Sequence, residues 1–527
     1  MKKSILATTA LTFALLAAPS FAADNTADLS RQIQALQDQL RAMQQQLDAI
    51  KASDETQREA IAKETAAREA TEKAARDANL EAGGRNSIEN GTVKLIPPSN
   101  PKVVESAAHS FVLSSPDGNW TIQPTGRIHM DMGAYISQKP EGTTGPGTVA
   151  GGKLTSGVNA RRLRFGVTGR AAQDFTYDFI YEAGGTNDGV PALGAQGINA
   201  AKIGYTGIRN TIIEVGYGAQ FFTLEEATSS NNIMFMERST PTTLATSFNS
   251  GDPRFAAGFR TWEANWWFGA YMTSSVPGAV KNLTNRGFGA YQRATYQPIQ
   301  NDLESLHIGV GAAEVFDIPD SGPGTARSFT MADRPEVRID GTNILSTGAL
   351  GTVANPVTGV VVYNVESAAA FGQFFYEGEY FHYVVDRRGK TAAQFDAGYV
   401  EASYAIGGRR QYTANCGCYS GITPIENFSP RFGGMGAFEL AARVSYANLV
   451  DQYSSGIPTA VAQPNAVNGG RQINYTLGLN WFWNSNMLWK LDYIHSHFDK
   501  ANAVASGVAV GTGLDIDALA ARFQVMF

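Results

Sequence analysis

Beyond its first two dozen residues the chain has no apolar run of the roughly 20 residues that a membrane-spanning helix needs. Charge is sparse, at 17% of residues, and lysine is scarce after the first hundred. Cysteine occurs twice, as Cys416 and Cys418. Neighbours spaced C-x-C on one strand face seldom have bridge geometry, although a bent loop would allow it, so a loop disulfide and two free thiols both stay open. Further ligands beside them are missing, which argues against a metal. His495 and His497 share a strand face with Trp489 and Tyr493 and read as interfacial side chains rather than ligands. H-E-x-x-H, G-x-S-x-G and P-loop patterns are absent, so no signature supports an enzyme. No cofactor and no nucleic-acid partner is expected.

What is present begins with a leader. Met1-Lys2-Lys3 is basic, Ile5 to Ala18 is apolar or small, and Ser20-Phe21-Ala22 offers small residues at −3 and −1 of a cut before Ala23. This predicts a secretory signal peptide over 1–22. An exported chain without spanning helices is periplasmic, secreted or in an outer membrane. Leu29, Ile33, Leu36, Leu40, Met43, Leu47 and Ile50 then recur at alternating spacings of four and three. That heptad seam predicts a periplasmic coiled-coil helix over 23–82. Residues 83–117, with Pro97-Pro98 and Pro101, read as a linker.

From 118 to 527 the pattern is strands and loops. In the last eleven residues Leu519, Ala521, Phe523, Val525 and Phe527 share one side of a strand, and Ala518, Ala520, Arg522, Gln524 and Met526 the other. Ile128, Met130 and Met132 alternate with Arg127, His129 and Asp131, and Leu163, Phe165 and Val167 with Arg162 and Arg164. Phe438 to Tyr446 and Ile473 to Trp481 repeat the pattern. Such strands suit either a soluble sandwich, charged face outward, or a membrane barrel, charged face inward. Aromatic clusters at strand ends, Trp262 to Phe268 and Trp481-Phe482-Trp483, favour the barrel as interfacial girdles. Short connections (Arg170 to Gln173, Asn484 to Asn486) and long ones (Gln138 to Gly157, Asp317 to Asn364, Gln452 to Gly470) fit periplasmic turns and extracellular loops.

Several blocks resemble the phosphate-selective porins O and P. They are Thr125-Gly126-Arg127, Ala160 to Gly166, Leu224 to Ser230 leading through Phe235-Met236-Glu237-Arg238, Phe381-His382-Tyr383, Gly407 to Tyr412, Gly436 to Arg443, and Leu477 to Phe482. Their shared order extends from about Gly118 to Phe527. The resemblance implies an all-β transmembrane barrel of about sixteen antiparallel strands, preceded here by the coiled coil. It also implies a homotrimer, and a constriction loop whose place is taken by Glu225 to Asn249.

A pore selects ions by the charges at its narrowest point, and arginine's planar fork suits phosphate. After residue 117 there are 22 Arg and 7 Lys against 33 Asp and Glu, a balance of −4. The candidates for pore and anion contacts are Arg127, Arg161, Arg162, Arg164, Arg238 and Arg443. The bland alternative is that barrel arginines simply pair with carboxylates. The resemblance carries the family's anion-zone arginines onto Arg127, Arg161 and Arg162, but the family's acid before L-E-x-A-T-S-S is replaced by Gln220-Phe221-Phe222, and Glu225 to Asn249 contains no lysine.

The expectation is an outer-membrane porin of a Gram-negative bacterium, in contact with outer-membrane lipid, for passive diffusion of small anions such as phosphate. The alternatives are a porin without phosphate preference, an outer-membrane enzyme barrel and a soluble β-rich binding protein. The coiled coil would stabilise the assembly or touch the cell wall. Deleting 24–80 is expected to lower the temperature at which trimers dissociate, read from the gel mobility of unboiled protein.

Overall fold

The computed structural model describes residues 34, 41, 44, 85–89, 92–96, 102–105, 111–141, 154–184, 197–247, 254–274, 285, 287–301, 303–454, 463–501 and 511–527. Gln34, Arg41 and Gln44 are helical. The signal peptide and the rest of the coiled-coil segment lie outside the described residues. Contacts divide the chain into 1–98 and 99–527. The stretch read as a linker contains strands: Arg85–Glu89 pairs with Thr92–Ile96 in the first unit, and Lys102–Glu105 pairs with Phe111–Ser114 in the second.

The second unit is a closed antiparallel barrel of sixteen main strands. They are β1 (Thr121–Glu141), β2 (Gly157–Ala171), β3 (Phe175–Glu182), β4 (Gly197–Tyr205), β5 (Thr211–Gly218), β6 (Arg254–Glu263), β7 (Trp266–Ser274) and β8 (Phe288–Gln300). Then follow β9 (Glu304–Asp317), β10 (Val357–Phe371), β11 (Phe374–Arg387), β12 (Ala393–Ile406), β13 (Ala437–Asp451), β14 (Val467–Phe482), β15 (Met487–Ala501) and β16 (Gly511–Met526).

The two-residue period resolves inside out. Ile128, Met130, Met132, Phe165, Leu477, Leu479 and Leu519 are exposed, while His129, Asp131, Arg162, Asn474, Thr476 and Arg522 are buried. A soluble sandwich would bury the apolar row; here it faces outward around the wall, far more apolar surface than a water-soluble monomer leaves exposed. Trp481 stacks on Phe438 with centroids 5.7 Å apart, and Phe428, Trp483, Trp489 and Phe523 extend this aromatic cluster. The other expected girdle is only half realised. Trp266 is exposed, but Trp267 points inward and donates from Nε1 to the Asn415 carbonyl at 3.1 Å, because neighbours on a strand take opposite faces.

The barrel closes where β16 pairs with β1. Phe527 and Gly126 exchange both backbone hydrogen bonds, at 2.9 and 3.0 Å. The terminal ring lies on Gly126, where an added Cβ would come within 2.4 Å of Cζ and would push the ring aside. Past the end of β16, Phe111–Ser114 pairs with the first two residues of β1.

The connections alternate in length, as expected, with two exceptions. On the side of the short turns (172–174, 206–210, 264–265, 301–303, 372–373, 483–486), the link from β12 to β13 runs 407–436. On the opposite side, that between β11 and β12 is only 388–392. The loop expected to reach Asn364 ends at 356, where β10 begins. The largest apolar core lies inside the barrel: Met331, Leu345 and Leu350 of the 318–356 segment pack with Val360, Phe381, Phe395 and Ile516 of the wall. Leu519→Arg, on the outward face near the middle of β16, is expected to destabilise the barrel by ~2–4 kcal/mol in lipid vesicles, measured by equilibrium unfolding in urea.

Candidate functional site

The loop after β5, described over 219–247, folds into the lumen and carries two short helices, α1 (Leu224–Ala227) and α2 (Thr240–Thr246). Each has a hydroxyl N-cap: Thr223 accepts from the Glu226 amide at 3.0 Å and Ser239 from the Thr242 amide at 3.4 Å. A loop buried at this depth must find partners for its backbone, and here the wall supplies them. Glu379 accepts from the amides of Leu224 (2.8 Å) and Glu225 (3.1 Å). Asp492 accepts from the Met236 amide at 2.8 Å, Asn480 donates to the Met234 carbonyl at 2.7 Å, and Lys490 donates to the carbonyls of Ile233 and Phe235. Arg238 donates to the carbonyls of Glu225, Glu226 and Thr228, fastening the loop to itself.

Charge concentrates around Glu237. Arg161 meets it with two parallel hydrogen bonds (2.9 and 3.0 Å), Arg522 lies at 2.6 Å and Arg162 at 3.5 Å. Arg161 and Arg162 can both reach it because β1 and β2 slip register at this point, His129 pairing with Arg162 and Met130 with Ala160. Arg161 is the extra residue of that bulge, so two successive arginines turn inward instead of alternating. Burial works against the Glu237 carboxylate, but the guanidiniums of Arg161, Arg162 and Arg522 hold its carboxyl well below the ordinary 4.5.

The six sequence candidates therefore divide. Arg161, Arg162 and Arg238 join the loop. Arg164 lies beside Arg127 in the β1–β2 register and pairs with Glu182 at 2.5 Å. Arg127 is half-buried and donates from Nη1 to Ser230 Oγ at 2.6 Å; among the described residues it forms no ion pair. Arg443 lies apart on β13, 1% exposed, between Glu336, Glu225 (3.5 Å) and Glu401 (3.3 Å). Those carboxylates enclose its charge and tie together the 219–247 loop, the 318–356 segment and the wall. Water-accessible charges include several on β2–β4: side-chain exposure is 21% at Arg164, 22% at Lys202 and 31% at Asp178.

Where the resemblance calls for an acid, Gln220 is buried and bonds the carbonyls of Gly218 (2.5 Å) and Arg254 (3.2 Å). The next residue, Phe221, sets its ring 4.3 Å from the Arg260 guanidinium and 5.9 Å from Lys202 Nζ. Both cations also pair with Glu214.

Sequence reasoning missed the segment 407–436. It enters the barrel from the short-turn mouth. Arg410 clamps Glu439 (2.7 and 2.9 Å), and Arg293 donates to the carbonyls of Cys416 (3.0 Å) and Gly417 (2.6 Å). Cys416 and Cys418 are joined at its tip, their Cα atoms 5.2 Å apart, which the bend at Gly417 permits. Its signal in the sequence was a stretch of thirty residues without strand alternation. Among the described residues no three His, Cys, Asp or Glu side chains group to hold a metal.

The family model of phosphate-selective porin O and P matches residues 125–527, and the chain belongs to that family. It is an outer-membrane porin, a channel rather than an enzyme. Among solved structures, OmpT of Vibrio cholerae is 11% identical, with a TM-score of 0.44 over 81% of this chain and 100% of that one. An anion-selective porin from Comamonas acidovorans is 10% identical (TM-score 0.40, 77% and 100%), and OmpF of Salmonella typhi 11% (TM-score 0.39, 78% and 98%). No curated protein sequence matches the chain.

Glu237→Gln leaves three guanidiniums facing a neutral amide. It is expected to cost ~3–5 kcal/mol in urea unfolding and to add open-channel noise in single-channel records. Because the Glu237 carboxyl is held down, its contribution is complete above its ordinary value and is lost as pH falls through the lowered one. Quiet openings should therefore persist from neutral pH to about 4.5, with noise appearing only in stronger acid.

Proposed function

Taking membership of this porin family as the premise, we propose a water-filled channel for passive diffusion of small anions, with a moderate anion preference of which phosphate is one beneficiary. The observation that carries this reading is Arg127, a half-buried guanidinium with a serine hydroxyl as partner and no carboxylate. Arg164 beside it and Arg161, Arg162 and Arg238 on the loop side raise the local positive potential. An anion passing there exchanges water for guanidinium donors without first displacing a carboxylate from Arg127.

Strong phosphate specificity has less support. The loop described from Glu225 to Ser247 has no lysine, and Gln220 and Phe221 stand where the resemblance calls for an acid that holds basic residues in place. A general porin is therefore the second reading. It is favoured by the carboxylates Glu182, Asp178 and Glu214, which pair with Arg164, Lys202 and Arg260 along the accessible wall.

The proposal includes a homotrimer, export by the 1–22 leader, a periplasmic coiled coil over 23–82 reaching toward the cell wall, and a barrel over 118–527. Planar-bilayer reversal potentials in a salt gradient are expected to show anion preference. Arg127→Ala should reduce the anion-to-cation permeability ratio about fivefold, the equivalent of ~1 kcal/mol for one unit charge at 4 Å in water. An unchanged ratio would remove Arg127 from the ion path, and block by added phosphate would separate the specific reading from the general one.

A further inference from the structure

The outward face of the last hairpin carries chemistry that diffusion through the lumen does not use. In β15, Ser496 is fully buried toward the inside, which sends its neighbours His495 and His497 outward. In β16, Ile516 is likewise buried, and Asp515 and Asp517 turn outward. The antiparallel register sets His495 opposite Asp517 and His497 opposite Asp515. Each imidazole meets its aspartate through Nδ1, at 2.8 Å for His495 and 2.6 Å for His497. Tyr493 adds a hydroxyl to Asp517 at 2.8 Å.

The other nitrogen of each ring is what matters. His129 and His307 use both ring nitrogens inside the barrel, bonding Asn231 and Arg162 in one case and Gln297 and Glu366 in the other. At His495 and His497, Nε2 has no hydrogen bond among the described residues, and the side chains are 36% and 37% exposed. With Nδ1–H donating to a carboxylate, Nε2 presents a lone pair outward. A carboxylate behind each ring fixes its tautomer, the outer-shell arrangement that accompanies ligating histidines. Two rings two residues apart on one strand start about 7 Å apart at Cα, and a shared ion with Zn–N distances of about 2.0–2.1 Å would require both side chains to turn toward each other.

We propose that His495 and His497 bind a divalent first-row transition cation of the zinc type through their Nε2 atoms, with Asp515 and Asp517 as orienting partners. Imidazole favours zinc, copper and nickel over magnesium or calcium. The pair supplies two protein donors, fewer than the three that define a closed cluster. Water completes a four-coordinate ion, and the site is open to the outside of the wall.

The test uses the full-length protein in detergent, stripped with EDTA and titrated calorimetrically with zinc chloride. Saturable binding of one equivalent per chain is expected. His495→Ala with His497→Ala should weaken it at least tenfold, and Asp515→Asn with Asp517→Asn by about 10–100-fold. Unchanged single-channel conductance shows that the variants keep the barrel. Absence of saturable binding by the parent protein, or equal affinity in the double histidine variant, overturns the site. Equal affinity in the double asparagine variant overturns the orienting role.

Discussion

Arg522 reaches Asp131 with two bonds of 2.7 Å across the seam where the last strand meets the first, and from the same guanidinium touches Glu237 at 2.6 Å on the lumen loop. It also donates to the Met236 carbonyl. Closure of the wall and placement of the loop therefore share one charge. A seam that slipped by a residue would turn Arg522 toward lipid, where a guanidinium is costly, and would strip Glu237 of one of its three cations. The register of the seam is fixed from inside by this ion pair and at its end by Phe527 lying on Gly126.

Around this point the lumen is organised by compensation rather than by bare charge. A barrel with more acidic than basic residues can still offer a positive passage if the carboxylates are engaged on one side. Glu225, Glu336 and Glu401 surround Arg443, and Glu439 takes Arg410, all within the packed half of the barrel. These buried pairs are weak contributors to net stability, since desolvation offsets much of their attraction, but they set which way each loop can lie. On the accessible side the balance is looser, and Arg127 is left with a neutral partner. Selectivity in such a lumen depends on where pairing is incomplete, not on the sum over residues.

The strands were legible because alternation is a local property. Leu519 to Phe527, Arg127 to Met132 and Ile473 to Trp481 each declare their two faces within ten residues, and their exposure then separates membrane barrel from sandwich. The candidate site was legible only in part. Arg161 and Arg162 could be marked as arginines near a strand start, but the bulge that turns both inward depends on pairing with β1, which no local pattern encodes. Arg443 looked like Arg127 in sequence, since both alternate with apolar neighbours. Its three carboxylate partners lie 42, 107 and 218 positions away along the chain, so only the folded wall distinguishes the two. Trp267 was misread for the simpler reason that a cluster of rings in sequence is divided between two faces by the strand itself.

The segment 407–436 enters the barrel from the mouth opposite the long loops, held there by Arg293 and Arg410, while the segment after β5 and 318–356 enter from the other mouth. The two ends of the lumen are therefore lined by unrelated stretches of chain. An ion driven from one compartment meets these linings in the reverse order from an ion driven from the other.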